Sequence, residues 1–451
     1  MVLYIYFLLS FLSFYFYYKH KYAEMFLCLS MFVNELFGFA LGLGNSSIKS
    51  QDFLLVTIYI IILKEYIKGH HFWLDKNDKL GVIVFLCFIW TLIVFVGTIV
   101  LGVESPSYAF KAYRPFLVLP FFFVLKKMSM DDVNRYMQLM LFFSMVQGIF
   151  FYMQLIGFTG ILAGYGSDIE EGTLLSEHRF GNYPSFAPFF FLFYLFNDNL
   201  RLYKKIFYLV FFGMMPIVGQ MRGSVFVLAI VSLLYFLIKQ RKAHLYYVAF
   251  GIVAYVFIVM PMIDKRDEGK ELGTFEEIKM VVSNPGNVYS NYEENRGQNF
   301  LFRIATLFER IEYMSKHPNV ALTGVGCIHE DSPRNTFRFN LGTTTTFADG
   351  KKHVSMLSSA DIAWVGILMR YGYIGVLLFS FMLFIWIREG VPIVRDSGVI
   401  FVSIFALYSV AFYLSSFDCA NLGRVNMLNM LFMMAVVDVY KRQCQNVLLD
   451  K

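Results

Sequence analysis

Apolar runs long enough to cross a bilayer recur along almost the whole 451-residue chain, with one long polar interruption from Pro261 to Ala360. With 57% hydrophobic and only 16% charged residues, the chain carries more apolar surface than a water-soluble domain can use. A spanning helix takes about 20 apolar residues, which predicts an all-α polytopic integral membrane protein of roughly thirteen helices. They fall near residues 2–18, 22–41, 53–67, 80–103, 108–125, 133–157, 184–197, 202–218, 222–238, 245–262, 361–387, 398–416 and 422–440. The third and seventh runs are short for a crossing, so counts of about 12 to 14 stay open. The first run lacks a basic start and a small-residue cleavage site, and reads as a retained helix rather than a signal peptide.

Net charge is +6, and its placement says more than its sum. Lys19, Lys68, Lys79, Lys126, Arg201, Lys239, Arg388 and Lys441 fall on alternate loops, which the positive-inside rule assigns to the cytoplasm. Loops 42–52, 104–107, 158–183, 219–222, 263–360 and 417–421 then face outward. Three regions follow: a transmembrane bundle of about ten helices over 1–262, a large outer loop over 263–360, and C-terminal helices with a short cytoplasmic tail over 361–451.

The outer loop has internal order. Residues 264–298 are charged and rich in Asn, Gly and Glu, in the manner of a lid. From Phe300 to Lys316, Phe300, Ile304, Leu307, Ile311 and Met314 recur at helical spacing. Arg303 and Arg310 share another face of that helix, about 10 Å apart along its axis. His317-Pro318 ends the helix, Gly324-Val325-Gly326 makes a turn, and residues 327–358 are polar with little periodicity.

No Walker-type loop, Rossmann glycine pattern or paired-aspartate loop occurs, and the inner loops are short, so ATP and nucleotide sugars are not expected as substrates. The five cysteines have no metal-ligand spacing; Cys327 and Cys419 share the outer side and are expected as unpaired thiols. No cofactor, metal or nucleic acid is implied.

Charged residues at outward helix ends are the candidates for chemistry. Arg222 opens a helix between Gly219 and Gly223, and Arg179 precedes another; each reads either as a snorkelling or paired surface charge, or as a ligand for an anion. Arg114, with Lys111 one turn away, is open to the same two readings. Arg303 and Arg310 fit a salt-bridged surface helix with Glu309 and Glu312, or a phosphate grip through the guanidinium fork. Asp361 is the leading base candidate, although an acid at that place also serves as a helix cap. His329, Asp331 and His353 are accessory candidates, while Arg370 and Arg424 read as structural or gate-lining.

The layout resembles the O-antigen polymerase and ligase superfamily over roughly residues 108–387. The resemblance rests on Arg179-Phe180-Gly181 before Pro184, Arg222-Gly223 at a helix start, and the segment from Arg303 to Gly326. It continues through Ser359-Ala360-Asp361 into Tyr371-Gly372-Tyr373-Ile374-Gly375. Members tend to carry histidine where this chain has Asp361, and a glutamate where Met369-Arg370 stands. The resemblance implies an inverting, metal-independent glycosyltransferase on the outer face of a bacterial cytoplasmic membrane. Its donor and acceptor would be polyprenyl-diphosphate-linked oligosaccharides, polymerised into O-antigen, capsular or exopolysaccharide. Arg179, Arg222, Arg303, Arg310 and Arg114 would hold the diphosphate, with Asp361, Arg222 and Arg303 catalytic. A chain-length regulator and a flippase of the same pathway would be its protein partners. Such a leaving group is already activated and needs charge stabilisation plus one base for the acceptor hydroxyl. Ligation of finished glycan to lipid A core or protein is the nearest alternative; a flippase for the same lipid is the alternative of another class.

Overall fold

The computed structural model describes residues 2–34, 50–69, 78–156, 184–219, 222–240, 299–337, 362–417 and 427–449, with strands 344–346 and 352–354 and a few isolated positions. The helices are α1 (Val2–Tyr18), α2 (Tyr22–Val33), α3 (Ser50–Ile67), α4 (Lys79–Val100), α5 (Pro106–Tyr113), α6 (Phe122–Leu125), α7 (Met130–Met153), α8 (Ala187–Phe196), α9 (Leu202–Val218) and α10 (Arg222–Ile238). After the polar segment begins come α11 (Asn299–Lys316), α12 (Pro318–Ala321), α13 (Ala363–Asp396), α14 (Ile400–Ser415) and α15 (Met427–Leu449). Every expected span meets a described helix except that near 245–262, which lies almost wholly outside the described residues.

The protein is an all-α polytopic membrane protein. Among the described residues, four helical stretches are long and apolar enough to cross a bilayer: Lys79–Val100, Pro106–Leu125, Met130–Ile156 and Ala363–Asp396. Further apolar helices are shorter, including Leu3–Tyr18 and Ile400–Ser415. The core is heavily aromatic. Phe26 stacks on Phe432 with ring centroids 4.6 Å apart, and Tyr136 meets both edge-on or tilted. α13 packs on α14 and α4, and α14 in turn on α10 and α15.

Three features depart from expectation. The span near 108–125 is not one α-helix: Arg114–Phe121 is a 3-10 stretch between α5 and α6. Pro115 and Pro120 lack the N–H that an α-helical ladder needs, which accounts for the tighter winding. Within residues 327–358, Thr344–Thr346 pairs antiparallel with Lys352–Val354 in a short ribbon. The third departure is a break inside α13. Gly372 has φ 67° and ψ −168°, so the continuous apolar run hides two helices.

Charged residues at the ends of several helices gather in ion pairs. Lys126 bridges Asp78 and Asp438, with Asp438 at 3.1 Å, and Arg442 reaches Asp438 at the same distance. Glu389 receives Lys79 and Lys441, while buried Glu65 receives Lys127 and the Tyr17 hydroxyl. Arg135 meets Glu24. These residues are widely separated in the chain. Elsewhere, Arg334 donates to Gly102 O at 2.7 Å and Trp364 Nε1 to Ser416 Oγ at 2.7 Å.

Candidate functional site

The polar segment is seated in the break of α13. α11 is strongly amphipathic and places Ala305 and Met314 inward. α12 follows His317, and the chain then turns at Gly324 and Gly326, with φ of 81° and 95°. Only glycine adopts such angles without strain; Gly324 also lies against the backbone of Arg370 and Tyr371, and Gly326 against the Thr98 side chain. A Cβ on Gly372 would overlap Leu322 O and C and Gly324 N; one on Gly324 would overlap the Arg370 carbonyl.

This mutual approach satisfies the backbone groups that a helix break exposes. Val325 N donates to Met369 O at 2.8 Å, Ile374 N to Leu322 O at 3.2 Å, and Trp90 Nε1 to Tyr371 O at 3.1 Å. Cys327 N donates to Thr98 Oγ1 at 2.9 Å, so the end of α4 fixes the same turn. Cys327 itself is buried and unbridged, as expected.

Immediately beyond the turn, three elements meet at the mouth of the bundle. Arg370 of α13 donates to Ile328 O at 3.3 Å and pairs with Glu330 at 3.2 Å. The ring of His329 lies 6.0 Å from that of Tyr108 on α5, and Lys111 Nζ sits 4.8 Å from the centre of the Tyr108 ring. Asp331 donates its backbone N–H to His329 Nδ1 at 3.2 Å, and its carboxylate lies 3.6 Å from the same nitrogen. Burial draws the His329 imidazole below its usual pKa; Asp331 opposes this, and the positive charges of Arg370 and Lys111 add to the depression. His329 is 23% exposed at its side chain and Lys111 is exposed, so the cluster is open to an outside ligand.

Of the residues singled out in the sequence, the structure brings His329, Asp331 and Lys111 together. Arg114 is elsewhere: it pairs with Asp52 at 2.9 Å across to α3. Arg303 is half-buried on α11. From the sequence Arg310 is open to two readings, a salt-bridged surface helix with Glu309 and Glu312 or a grip on a diphosphate, and both put it on an exposed face. Its side chain is instead fully buried. It pairs with Glu309, donates to Leu341 O at 2.6 Å, and lies 3.9 Å from the centre of the Phe339 ring. Glu309 also accepts from Leu341 N at 3.2 Å, so this ion pair ties α11 to Phe339 and Leu341 of the loop. Burial lowers its pKa to about 10, with Glu309 opposing, which leaves it charged at neutral pH.

Arg310→Lys is expected to lose about 1–3 kcal/mol, because an ammonium cannot serve Glu309 and the Leu341 carbonyl while lying flat on Phe339. Thermal melting of the purified chain in detergent reads this directly; an unchanged midpoint would make the buried fork dispensable.

Arg222 begins α10, as expected, but its side chain lies outside the described residues, as do Arg179 and Asp361 entirely. His353 is in the second strand, facing Thr345 in the register. Sequence reasoning passed over Tyr108, Glu330, Arg334 and Glu104. Glu104 is buried beside Ser105, with Oε1 accepting the Ser105 N–H at 2.7 Å and Oε2 without a hydrogen-bond partner among the described residues. The available signal was the outward loop at 104–107, whose acid is the one carboxylate there. Among the described residues no group of three metal-binding side chains occurs.

Compared with known proteins, the chain matches no protein-family model and no curated sequence.

Proposed function

We propose that this chain is a membrane glycosyltransferase that joins polyprenyl-diphosphate-linked oligosaccharide repeats into a surface polysaccharide. The observation that carries the reading is the docked polar segment: it sets His329, Asp331 and Lys111 at the bundle end opposite the basic loops. By the positive-inside rule that end faces outward from a bacterial cytoplasmic membrane, where lipid-linked repeats are presented. Glycosidases need two carboxyl groups because their leaving group is poor. A diphosphate departs once its charge is held, so fixed cations in a poorly hydrated cleft suffice. In this reading Arg179, Arg222 and Arg303 hold the diphosphate, and Asp361 removes the proton from the acceptor hydroxyl. Direct attack inverts the anomeric carbon. A chain-length regulator and a flippase would work beside it.

A transporter for the same lipid is favoured by one observation, the discontinuous helix α13, since such helices line many transport sites. In those proteins the freed backbone groups face substrate. Here Met369 O, Tyr371 O and Ile374 N are taken up by the protein's own Val325, Trp90 and Leu322. The break serves docking, and the enzyme reading is preferred.

Arg222→Ala and Asp361→Ala are each expected to leave the protein inserted while collapsing a polysaccharide ladder to single repeats. The rate loss expected for removing one transition-state charge partner is about 100-fold or more. Repeats trapped on the inner leaflet would replace this reading with a flippase, and full-length glycan left on its lipid carrier would replace it with a ligase.

A further inference from the structure

We propose that Lys111 and His329, both neighbours of the Tyr108 ring, form a binding position for a phosphoryl group at the membrane surface. In it, His329 acts as a hydrogen-bond donor through Nε2, not as a base. This deepens the transferase reading and rests on it only for the identity of the lipid that bears the phosphate.

The tautomer follows from the backbone. His329 Nδ1 accepts the Asp331 N–H at 3.2 Å, and a nitrogen accepting a hydrogen bond carries no proton. The neutral ring therefore keeps its proton on Nε2. A ring arranged in this way offers a donor at its open edge and has no free lone pair with which to take a proton there. The Asp331 carboxylate lies on the Nδ1 edge, away from that donor. Glu330 is engaged by Arg370, which limits its repulsion of an incoming anion.

The second donor is Lys111. Its ammonium rests above Tyr108, has no carboxylate partner among the described residues, and belongs to an exposed side chain. A cation over an exposed aromatic ring is held by only about 0.5–1 kcal/mol, so it is free to swing onto an anion. Lys111 comes from α5 and His329 from the docked segment, and Arg334 of that segment donates to Gly102 O, in the connection from α4 to α5, at 2.7 Å. Two donors from separate elements beside one aromatic ring are a set able to serve the oxygens of a phosphoryl group. The charged groups facing His329 are Asp331 and Glu330 from its own segment, Lys111 from α5 and Arg370 from α13.

The test uses the full chain in nanodiscs, with geranylgeranyl diphosphate, geranylgeraniol and inorganic pyrophosphate as probes. Lys111→Met and His329→Leu are each expected to weaken diphosphate binding about tenfold, with the alcohol unaffected. His329→Gln, which retains an N–H donor, is expected to hold affinity within about threefold. A 15N spectrum of the native imidazole should show the proton on Nε2. Preference for the lipid probe identifies a lipid-borne phosphate; equal affinity for pyrophosphate identifies a site for the free anion. Unchanged affinity in Lys111→Met and His329→Leu, or a proton found on Nδ1, overturns the assignment. These measurements need no acceptor, so a chain that binds diphosphate through these residues yet never elongates glycan refutes the transferase reading and leaves the site standing.

Discussion

Gly372→Ala should unseat the outer segment and lower stability by more than about 3 kcal/mol. Two costs add. The glycine occupies φ 67° and ψ −168°, a region closed to residues with a side chain, worth about 1–3 kcal/mol of strain. The new methyl group would also overlap the Leu322 carbonyl and the Gly324 nitrogen, which are backbone atoms with no rotamer by which to retreat. Relief requires the turn at 322–326 to lift, and lifting it strips the partners from Met369 O and Ile374 N. A lower melting midpoint should come with new protease cutting between His317 and Asp331. Gly97→Ala is the control, because a methyl there meets nothing within 4 Å. If both variants melt with the parent, α13 is not locked by this contact.

The second large effect is expected at the other end of the bundle. Lys126 is one cation shared by two acids, Asp78 and Asp438, whose side chains are only 14% and 11% exposed. Lys126→Met leaves Asp78, which also caps α4 by accepting the Gly81 N–H at 2.8 Å, without its cation. Breaking a buried pair on one side costs about 3–5 kcal/mol, far more than the intact pair contributes. Arg442 still serves Asp438, which places the expected loss near the lower figure. Adding Asp78→Asn to Lys126→Met should recover much of the stability, since the orphaned charge is then gone. A double variant no more stable than the single one would mean that the lysine acts through its aliphatic stem.

Helix placement was legible in the sequence because hydrocarbon thickness alone dictates a run length. The start of α10 at Arg222 and of α9 at Leu202 fall where apolar runs begin. The ion pairs Lys127–Glu65 and Lys79–Glu389 join residues far apart in the chain, which periodicity and charge placement do not pair. Long-range partners were not legible. Nothing in Tyr371-Gly372-Tyr373 announces a break, since the cause is a turn made by Leu322 to Val325, far back in the chain. Arg310 followed the same logic: helical spacing put it on a face with Arg303, but Phe339 and Leu341, which enclose it, lie in a stretch without periodicity. The site was half visible. His329, Asp331 and Lys111 were each marked by chemistry, and only the fold joined them, whereas Tyr108 looked like any aromatic residue of an interfacial helix.

The interruption in α13 also bears on how the polypeptide is laid down in the bilayer. Residues 363–371 rise only about 14 Å, which is too little to insert unaided. Their exposed carbonyls become tolerable only when Val325 and Trp90 are already waiting. Biosynthesis from the N-terminus delivers both before Ala363 leaves the ribosome, so the native order of segments is itself an assembly instruction. A circular permutant that presented α13 first would have to carry an uncapped half-helix until its receptor arrived.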